Sequence, residues 1–313
     1  NDNSDYQSIG YDTSTASLSS SINEYVFENG RRYHAYFGID KNPLPTDTKE
    51  QERLDLHHEI MFLMFNGELH KSPLKEPHRV LDVGTGTGIW AIGTSYPMAE
   101  VIGIDLSPIQ PVWVPGNCRF EVDDAETPWT YREEFFDFIH CRNISQGISN
   151  WDLLMTEIYR CTIPGGHVEL SELAVSSHCD DGTMKPDNGM KRFTDLLSEA
   201  MVKMGRPPLT PNRLREFLEK AGFVDIKVHN VKQPIGPWPK DPRLKRIGAM
   251  VLLNCETAFE SYGMALFTRV LGMDAEAAQG ICDGALEAVR NKNNHIYSYL
   301  YCVHGRKPGE EEH

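Results

Sequence analysis

The run Val80-Leu81-Asp82-Val83-Gly84-Thr85-Gly86-Thr87-Gly88-Ile89-Trp90 constrains the fold more than any other segment of the chain. Val80, Leu81 and Val83 read as a buried strand interrupted only by Asp82. The three alternate glycines read as a turn whose backbone approaches a ligand without a Cβ in the way, and Ile89 restarts the chain as a helix. A strand that enters a helix through such a turn opens a βαβ unit, so it belongs in a mostly parallel sheet covered on both faces. Short β-rich runs then alternate with helical ones, with strands expected at 79–83, 100–104, 118–122, 135–140, 166–173, 224–230 and 295–303. Helices are expected at about 88–96, 151–162, 188–204 and 211–221, the last opened by Thr210 and Pro211.

The flanks elaborate this sheet. Residues 1–21 are rich in Ser, Thr, Asp and Asn and read as a disordered tail. Residues 22–77 read as an N-terminal helical lid, with Thr46 or Asp47 capping a helix whose Leu54, Ile60, Met61, Met64 and Phe65 share one face. The main domain runs over 78–308. Within it, about 234–294 is too long for a loop, and its helical stretches 244–262 and 275–291 read as a cap inserted before the last strand. The expected fold is therefore α/β and Rossmann-like, a seven-stranded mostly parallel sheet with helices on both faces, plus lid and insertion.

The chemistry is carried by three consecutive strand ends. A dinucleotide loop is spaced G-x-G-x-x-G to seat a pyrophosphate, whereas here the third glycine arrives one residue early and Asp82 precedes the turn. That spacing favours S-adenosyl-L-methionine over NAD. Its methionine part would lie over Gly84 and Gly86, with Thr85 and Gly88 completing the turn and Asp82 orienting the ammonium. The helix N-terminus after the turn would offer N–H groups to the carboxylate. Asp105, ending the second strand beside Leu106, can accept from both ribose hydroxyls, which would serve NAD equally well. Asp124, ending the third, can accept from the adenine amino group, with the Ala125 N–H on a ring nitrogen. A single such Asp is as often a cap or a solvated acid; the ordered set is what points to a cofactor.

Flanking residues narrow the match. Glu28-Asn29-Gly30-Arg31-Arg32-Tyr33-His34, Glu50-Gln51-Glu52-Arg53-Leu54-Asp55, Asp105-Leu106-Ser107-Pro108-Ile109-Gln110-Pro111 and Gly305-Arg306-Lys307-Pro308 resemble the fungal LaeA-like group of class I methyltransferases, over nearly everything after residue 22. The resemblance implies a lid segment at 28–34, making Asn29, Arg31, Tyr33 and His34 candidates for the site. It implies S-adenosyl-L-methionine as cofactor, S-adenosyl-L-homocysteine as product and no metal. The group holds both regulators of secondary metabolism and enzymes that methylate small molecules, so it implies cofactor better than acceptor.

Methyl transfer from a sulfonium is an in-line displacement that needs mainly alignment in a dry pocket. The acceptor would sit beyond strands four and five, within reach of Arg142, Asn143, Gln146 and Glu172. A hydroxyl acceptor calls for a base such as His34 or Glu172; a carboxylate calls only for a cation such as Arg142, which also reaches the cofactor. Against these stand plainer roles: an ion pair of Arg142 with Asp152, a loop hydrogen bond for Glu172, core positions for His140 and His167. Met190, Trp238, Trp113, Phe193 and Met250 could line an apolar pocket, or be ordinary core.

A net charge of −14 argues against a polyanion partner, and Arg142-Asn143-Ile144-Ser145 lacks the Pro-Pro-aromatic of base-N-methylating enzymes, so no nucleic acid is expected. Seven cysteines without zinc or redox spacing read as reduced intracellular thiols. Apolar runs such as 60–65 are too short to span a bilayer. The expected partners are a small-molecule acceptor and, as an open alternative, a second copy of the chain, in the cytoplasm or the nucleus. The leading expectation is O-methylation of a small metabolite in fungal secondary metabolism; the alternative is a regulator that acts through protein partners or protein methylation.

Overall fold

A computed structural model describes residues 22–94 and 96–309. The expected tail at 1–21 lies outside them. The chain opens with a hairpin, β1 (Tyr25–Glu28) and β2 (Arg31–His34), paired antiparallel with Glu28 opposite Arg31. Asn29 and Gly30 make its two-residue turn, both with positive φ, +50° and +74°. Asn-Gly is the pair that such a turn selects, because both central residues must enter the left-handed region. The segment expected as a helical lid is therefore a hairpin followed by one helix, α1 (Thr48–Met64), capped by Asp47 accepting from Glu50 N.

The sheet comprises β3 (Arg79–Val83), β4 (Glu100–Asp105), β5 (Cys118–Val122), β6 (Phe136–Arg142), β7 (Thr162–Leu173), β8 (Val224–Pro234) and β9 (Tyr297–Arg306), in the order β5-β4-β3-β6-β7-β9-β8. β3 to β7 pair in parallel, while β9 runs antiparallel to both β7 and β8. This is the expected seven-stranded, mostly parallel sheet. β8 and β9 extend further than anticipated, because they pair with each other from Val224↔Arg306 to Pro234↔Tyr297.

Side chains alternate across the strands, and the two layers follow from that period. Leu81, Val83, Ile102, Ile139 and Val168 pack under α3 (Trp151–Cys161) and α5 (Pro211–Ala221) through Leu154, Ile158, Leu214 and Phe217. Val80, Val101 and Phe138 point the other way, onto Trp90 and Ala91 of α2 (Ile89–Ile92). α2 is a single turn rather than the helix expected over 88–96, since Gly93 caps it and Pro97 follows closely.

A second apolar core lies beside the sheet. It joins α1 to α4 (Gly189–Lys203), α6 (Pro242–Ala265), a π-helical turn (Leu266–Val270) and α7 (Ala275–Arg290), through Ile60, Met61, Phe193, Phe259, Phe267 and Ile281. Leu300 and Cys302 of β9 belong to the same cluster, so this helical body is built onto the sheet.

Candidate active site

The strand order reverses between β3 and β6, and an open α/β sheet has its crevice at the carboxyl ends of the strands on either side of such a point. The crevice there holds about 1170 Å³, mouth included, and its walls are residues 84–87 after β3, 105–107 at β4, 123–125 after β5 and 142–144 after β6. α1 closes it from outside with Glu50, Arg53, Leu54 and His57.

The glycine turn is held by its neighbours. Gly84 N and Thr85 N both donate to Ile104 O at 2.9 Å, Gly86 N donates to Asp105 Oδ2 at 2.8 Å, and Gln110 Nε2 donates to Gly86 O at 2.7 Å. The three glycines have φ of +70°, +58° and +78°, yet for different ends. A Cβ on Gly84 would stand 2.4 Å from Ile144 Cγ2, and one on Gly88 2.3 Å from Phe120 Cζ. One on Gly86 would meet only Leu54 Cδ1 at 3.6 Å, across the crevice. Gly84 and Gly88 thus serve packing as well as the turn, and Gly86 leaves room for a ligand. α2 is a single turn, so what it can offer a carboxylate is its first N–H groups and not a long helix's dipole.

Asp82 does not line the crevice, so of the two ways expected for it to orient an ammonium, directly or through water, the direct contact is not formed by this side chain. Its side chain points to the α2 side of the sheet, where it accepts from Thr85 Oγ1 and pairs with His140 Nδ1, each at 2.7 Å. The His140 ring stacks on Trp90 with centroids 3.8 Å apart. Asp82 and His140 are register partners on β3 and β6, which is why they meet. Through Thr85 the pair is tied to the glycine turn.

Asp105 does face the crevice beside Leu106. Ser107 N donates to its Oδ1 at 3.0 Å and Gly86 N to its Oδ2, leaving each oxygen an acceptor position for a hydroxyl. Burial pushes this carboxyl above its usual range. Asp124 and Ala125 also form the wall, but Asp124 is already engaged: Lys41 Nζ lies 2.7 Å from its Oδ2, and Glu126 N donates to its Oδ1. The expected contact from this carboxylate to an adenine amino group is therefore in competition with Lys41.

Arg142 sits in the crevice wall with no carboxylate at ion-pairing distance among the described residues; Asp152, the alternative partner, pairs with Lys220. Its Nη1 and Nη2 donate to His58 Nδ1 at 3.3 Å, and burial lowers the His58 pKa to about 4, so the partner is neutral. A half-buried guanidinium with no ion-pair partner among the described residues suits a ligand carboxylate. Asn143, at φ +54°, donates to His57 Nε2 at 2.8 Å and accepts from Leu173 N.

Arg53, His57, Asn143, Gln146 and Tyr262 also border a second chamber of about 900 Å³. Its far walls are mostly apolar and include Met190, Phe193, Leu197, Val251 and Phe259. Glu172 reaches it as well, accepting from Ile144 N at 2.9 Å, Ser145 N at 3.1 Å and Ser145 Oγ at 2.8 Å. Burial raises this carboxyl to about 7 against the pull of those three donors. The chamber takes in Asn143, Gln146 and Met190 of the expected acceptor residues, together with Phe193. It does not take in Trp238, whose indole donates to Ile296 O and stacks on His295, nor Trp113, which is exposed. Met250 packs against the helical core instead.

Tyr33 and His34 lie in neither chamber. Tyr33 is sealed beneath Arg269, 4.6 Å from its guanidinium carbon, and its pKa is pushed up to about 12 by burial. His34 is packed among Tyr25, Tyr36 and Phe37, and burial lowers its pKa. The expected lid contacts are thus hairpin packing, and Arg31 acts at one remove by clasping Asp47, the α1 cap. Sequence reasoning missed Lys41, Arg53, His57, Asn254 and Tyr262. The i, i+3, i+4, i+7 spacing of Glu50, Arg53, Leu54 and His57 was available as a sign of one shared helix face.

Comparison with known proteins agrees with this geometry. The family described as "Methyltransferase domain" matches residues 49–228. The chain is 40% identical to methyltransferase pytC of Aspergillus terreus over 97% of this chain and 94% of that protein. It is 37% identical to the secondary metabolism regulator LAE1 of Cochliobolus heterostrophus, over 91% of this chain and 96% of the other. With the probable methyltransferase tdiE of Emericella nidulans it shares 32% identity over 93% and 92%. Glycine turn, strand-end acids and relatives agree: the chain belongs to the fungal LaeA-like S-adenosylmethionine-dependent methyltransferases.

Proposed function

We propose that this enzyme O-methylates a small, mostly apolar metabolite, at a carboxylate or a hydroxyl, in fungal secondary metabolism. The observation that carries the reading is the junction of two chambers. One has the acids and open glycine that fit a nucleoside joined to an amino acid; the other is apolar, and five residues border both. Of the cofactor, Asp105 would hold the ribose, Arg142 the carboxylate, and Leu106 and Ala125 the adenine. When bound, S-adenosyl-L-methionine supplies an electrophilic methyl group, and S-adenosyl-L-homocysteine leaves.

The chain's own residues align and dry the reaction. Apolar walls keep water from the acceptor, and Asn143, tied to His57 and Leu173, fixes the rim between the chambers. Such positioning supplies up to about 7 to 11 kcal/mol of barrier lowering, without metal or covalent intermediate. For a hydroxyl acceptor, Glu172 is the carboxylate placed to receive the proton, at Oε2 beside Ser145.

The test is to incubate the purified protein with methyl-labelled cofactor and a fungal metabolite extract. Label in extractable small molecules is expected. Label confined to protein would reject this reading in favour of the second, a regulator acting on proteins, which the 37% identity to LAE1 supports.

A further inference from the structure

We propose that the methyl acceptor is an apolar-bodied carboxylic acid, seated with its carboxylate on the free edge of Arg53 and converted to its methyl ester. The inference rests on the methyltransferase reading above and names the substrate class of the same site.

Arg53 is 3% exposed and borders both chambers. One edge of its guanidinium is spent: Nε and Nη2 donate to Glu50 at 2.7–3.0 Å. Glu50 is in turn fully buried and takes the Ser261 hydroxyl, while Arg31, clasped by Asp47, stands 3.8 Å away. The network is rigid, and with the Tyr262 ring centroid 5.0 Å from the guanidinium carbon it leaves Nη1 as a buried donor without a well-formed hydrogen bond among the described residues. Stranding such a donor is costly unless a ligand answers it, so sites of this kind select an acceptor oxygen. Across the same junction Gln146, 9% exposed, also has an unpaired amide oxygen, and an amide turned end for end presents its N–H₂ to the same anion.

Arg142 borders the cofactor crevice but not the apolar chamber. The two guanidiniums, Arg142 half-buried and Arg53 buried, therefore divide two carboxylates between them, the cofactor's and the acceptor's. Glu172 already receives three donors from the 144–145 loop, which makes it a brace. A carboxylate needs no base: one of its oxygen lone pairs forms the O–CH₃ bond, the CH₃–S bond breaks, and its electron pair stays on sulfur. Anion and sulfonium cancel, and no proton moves.

The experiment has two arms on the whole chain. With saturating S-adenosyl-L-homocysteine, calorimetry should show 2-naphthoate binding at least tenfold tighter than 2-naphthamide. Arg53→Met should bring the two within threefold of each other while changing the homocysteine product's affinity by less than the naphthoate's, and Arg53→Lys should restore part of the preference. In the second arm, label transferred to a panel of aromatic and aliphatic acids should be released as methanol by mild alkali, as esters release it. Equal binding of naphthoate and naphthamide by the unaltered protein, or an alkali-stable label, overturns the proposal, and neither requires the variant to fold. So does an Arg53→Met variant that loses the cofactor product as severely as the naphthoate. A protein that binds no S-adenosyl-L-homocysteine at all overturns the underlying reading instead, and the proposal with it.

Discussion

Asp105 accepts from two backbone amides and still faces the crevice, so it ties the glycine turn to β4 and presents two acceptor positions to a ligand. Asp105→Ala should lower cofactor affinity at least tenfold in calorimetry, with the thermal midpoint displaced by only a few degrees; unchanged affinity would remove Asp105 from the site. Gly86→Val places a side chain in the crevice at a φ of +58° and should abolish binding. Glu172 allows a test by pH. Its folded pKa of about 7 lies above the ordinary carboxyl value, so between about 4.5 and 7 the native state keeps a proton that the unfolded chain has released. Stability contributed by this group falls as pH rises through that window. Glu172→Gln does not titrate, so its melting temperature relative to the parent should climb from pH 5 to pH 8; a constant difference would contradict the shift. Because a brace can be an amide as well as an acid, Glu172→Gln should also keep turnover within about tenfold, whereas loss of a general base costs about 10²- to 10⁴-fold.

Among the elements, the strands and most helices are legible in the sequence because their apolar periods are clean and their caps are explicit. Thr210 accepting from Arg213 N, followed by Pro211, is one such cap, and Thr210→Ala should cost about 1 kcal/mol in urea titration. Asp47→Ala should cost more, at or above roughly 2 kcal/mol, since it removes the α1 cap and strands the guanidinium of Arg31. An equal loss in the two variants would mean that the Arg31 clasp contributes nothing. The hairpin is harder to read although Asn29-Gly30 announces it, because aromatic residues on both sides suggest a packed helix. The position of Asp82 near the end of β3 suggests a ligand contact. Which way its side chain faces is decided by its parity with Val80, a two-residue period that the sequence does contain. The partner of Asp124 is not legible, since Lys41 reaches it only through the placement of the N-terminal segment against the sheet, whereas Glu50 and Arg53 meet as an i, i+3 pair within α1.

For the molecule as a whole, the distribution of neutral histidines sets its response to acid. Burial lowers the pKa of His58 and His304 to about 4, and it also lowers His34, His57, His70 and His167. Asp105, Asp123 and Glu172 shift upward and oppose them, but are fewer. A group whose folded pKa is depressed in this way holds no proton where the unfolded chain does. Stability is therefore lost as pH falls from about 6.5 towards 4. The melting temperature should drop steadily between pH 7 and pH 5, with protons taken up on unfolding; a flat profile would contradict the burial of these rings.

The doorway between the two chambers is assembled from parts far apart along the chain. Arg53 and His57 come from α1, Asn143 and Gln146 from the turn after β6, and only Tyr262 from the late helices. Acceptor choice is thereby separable from cofactor capture. Grafting the stretch 235–296 from a relative, provided that position 262 stays tyrosine, would exchange much of the apolar wall and leave the nucleoside seat intact, so new acceptor ranges can arise by swapping one contiguous block.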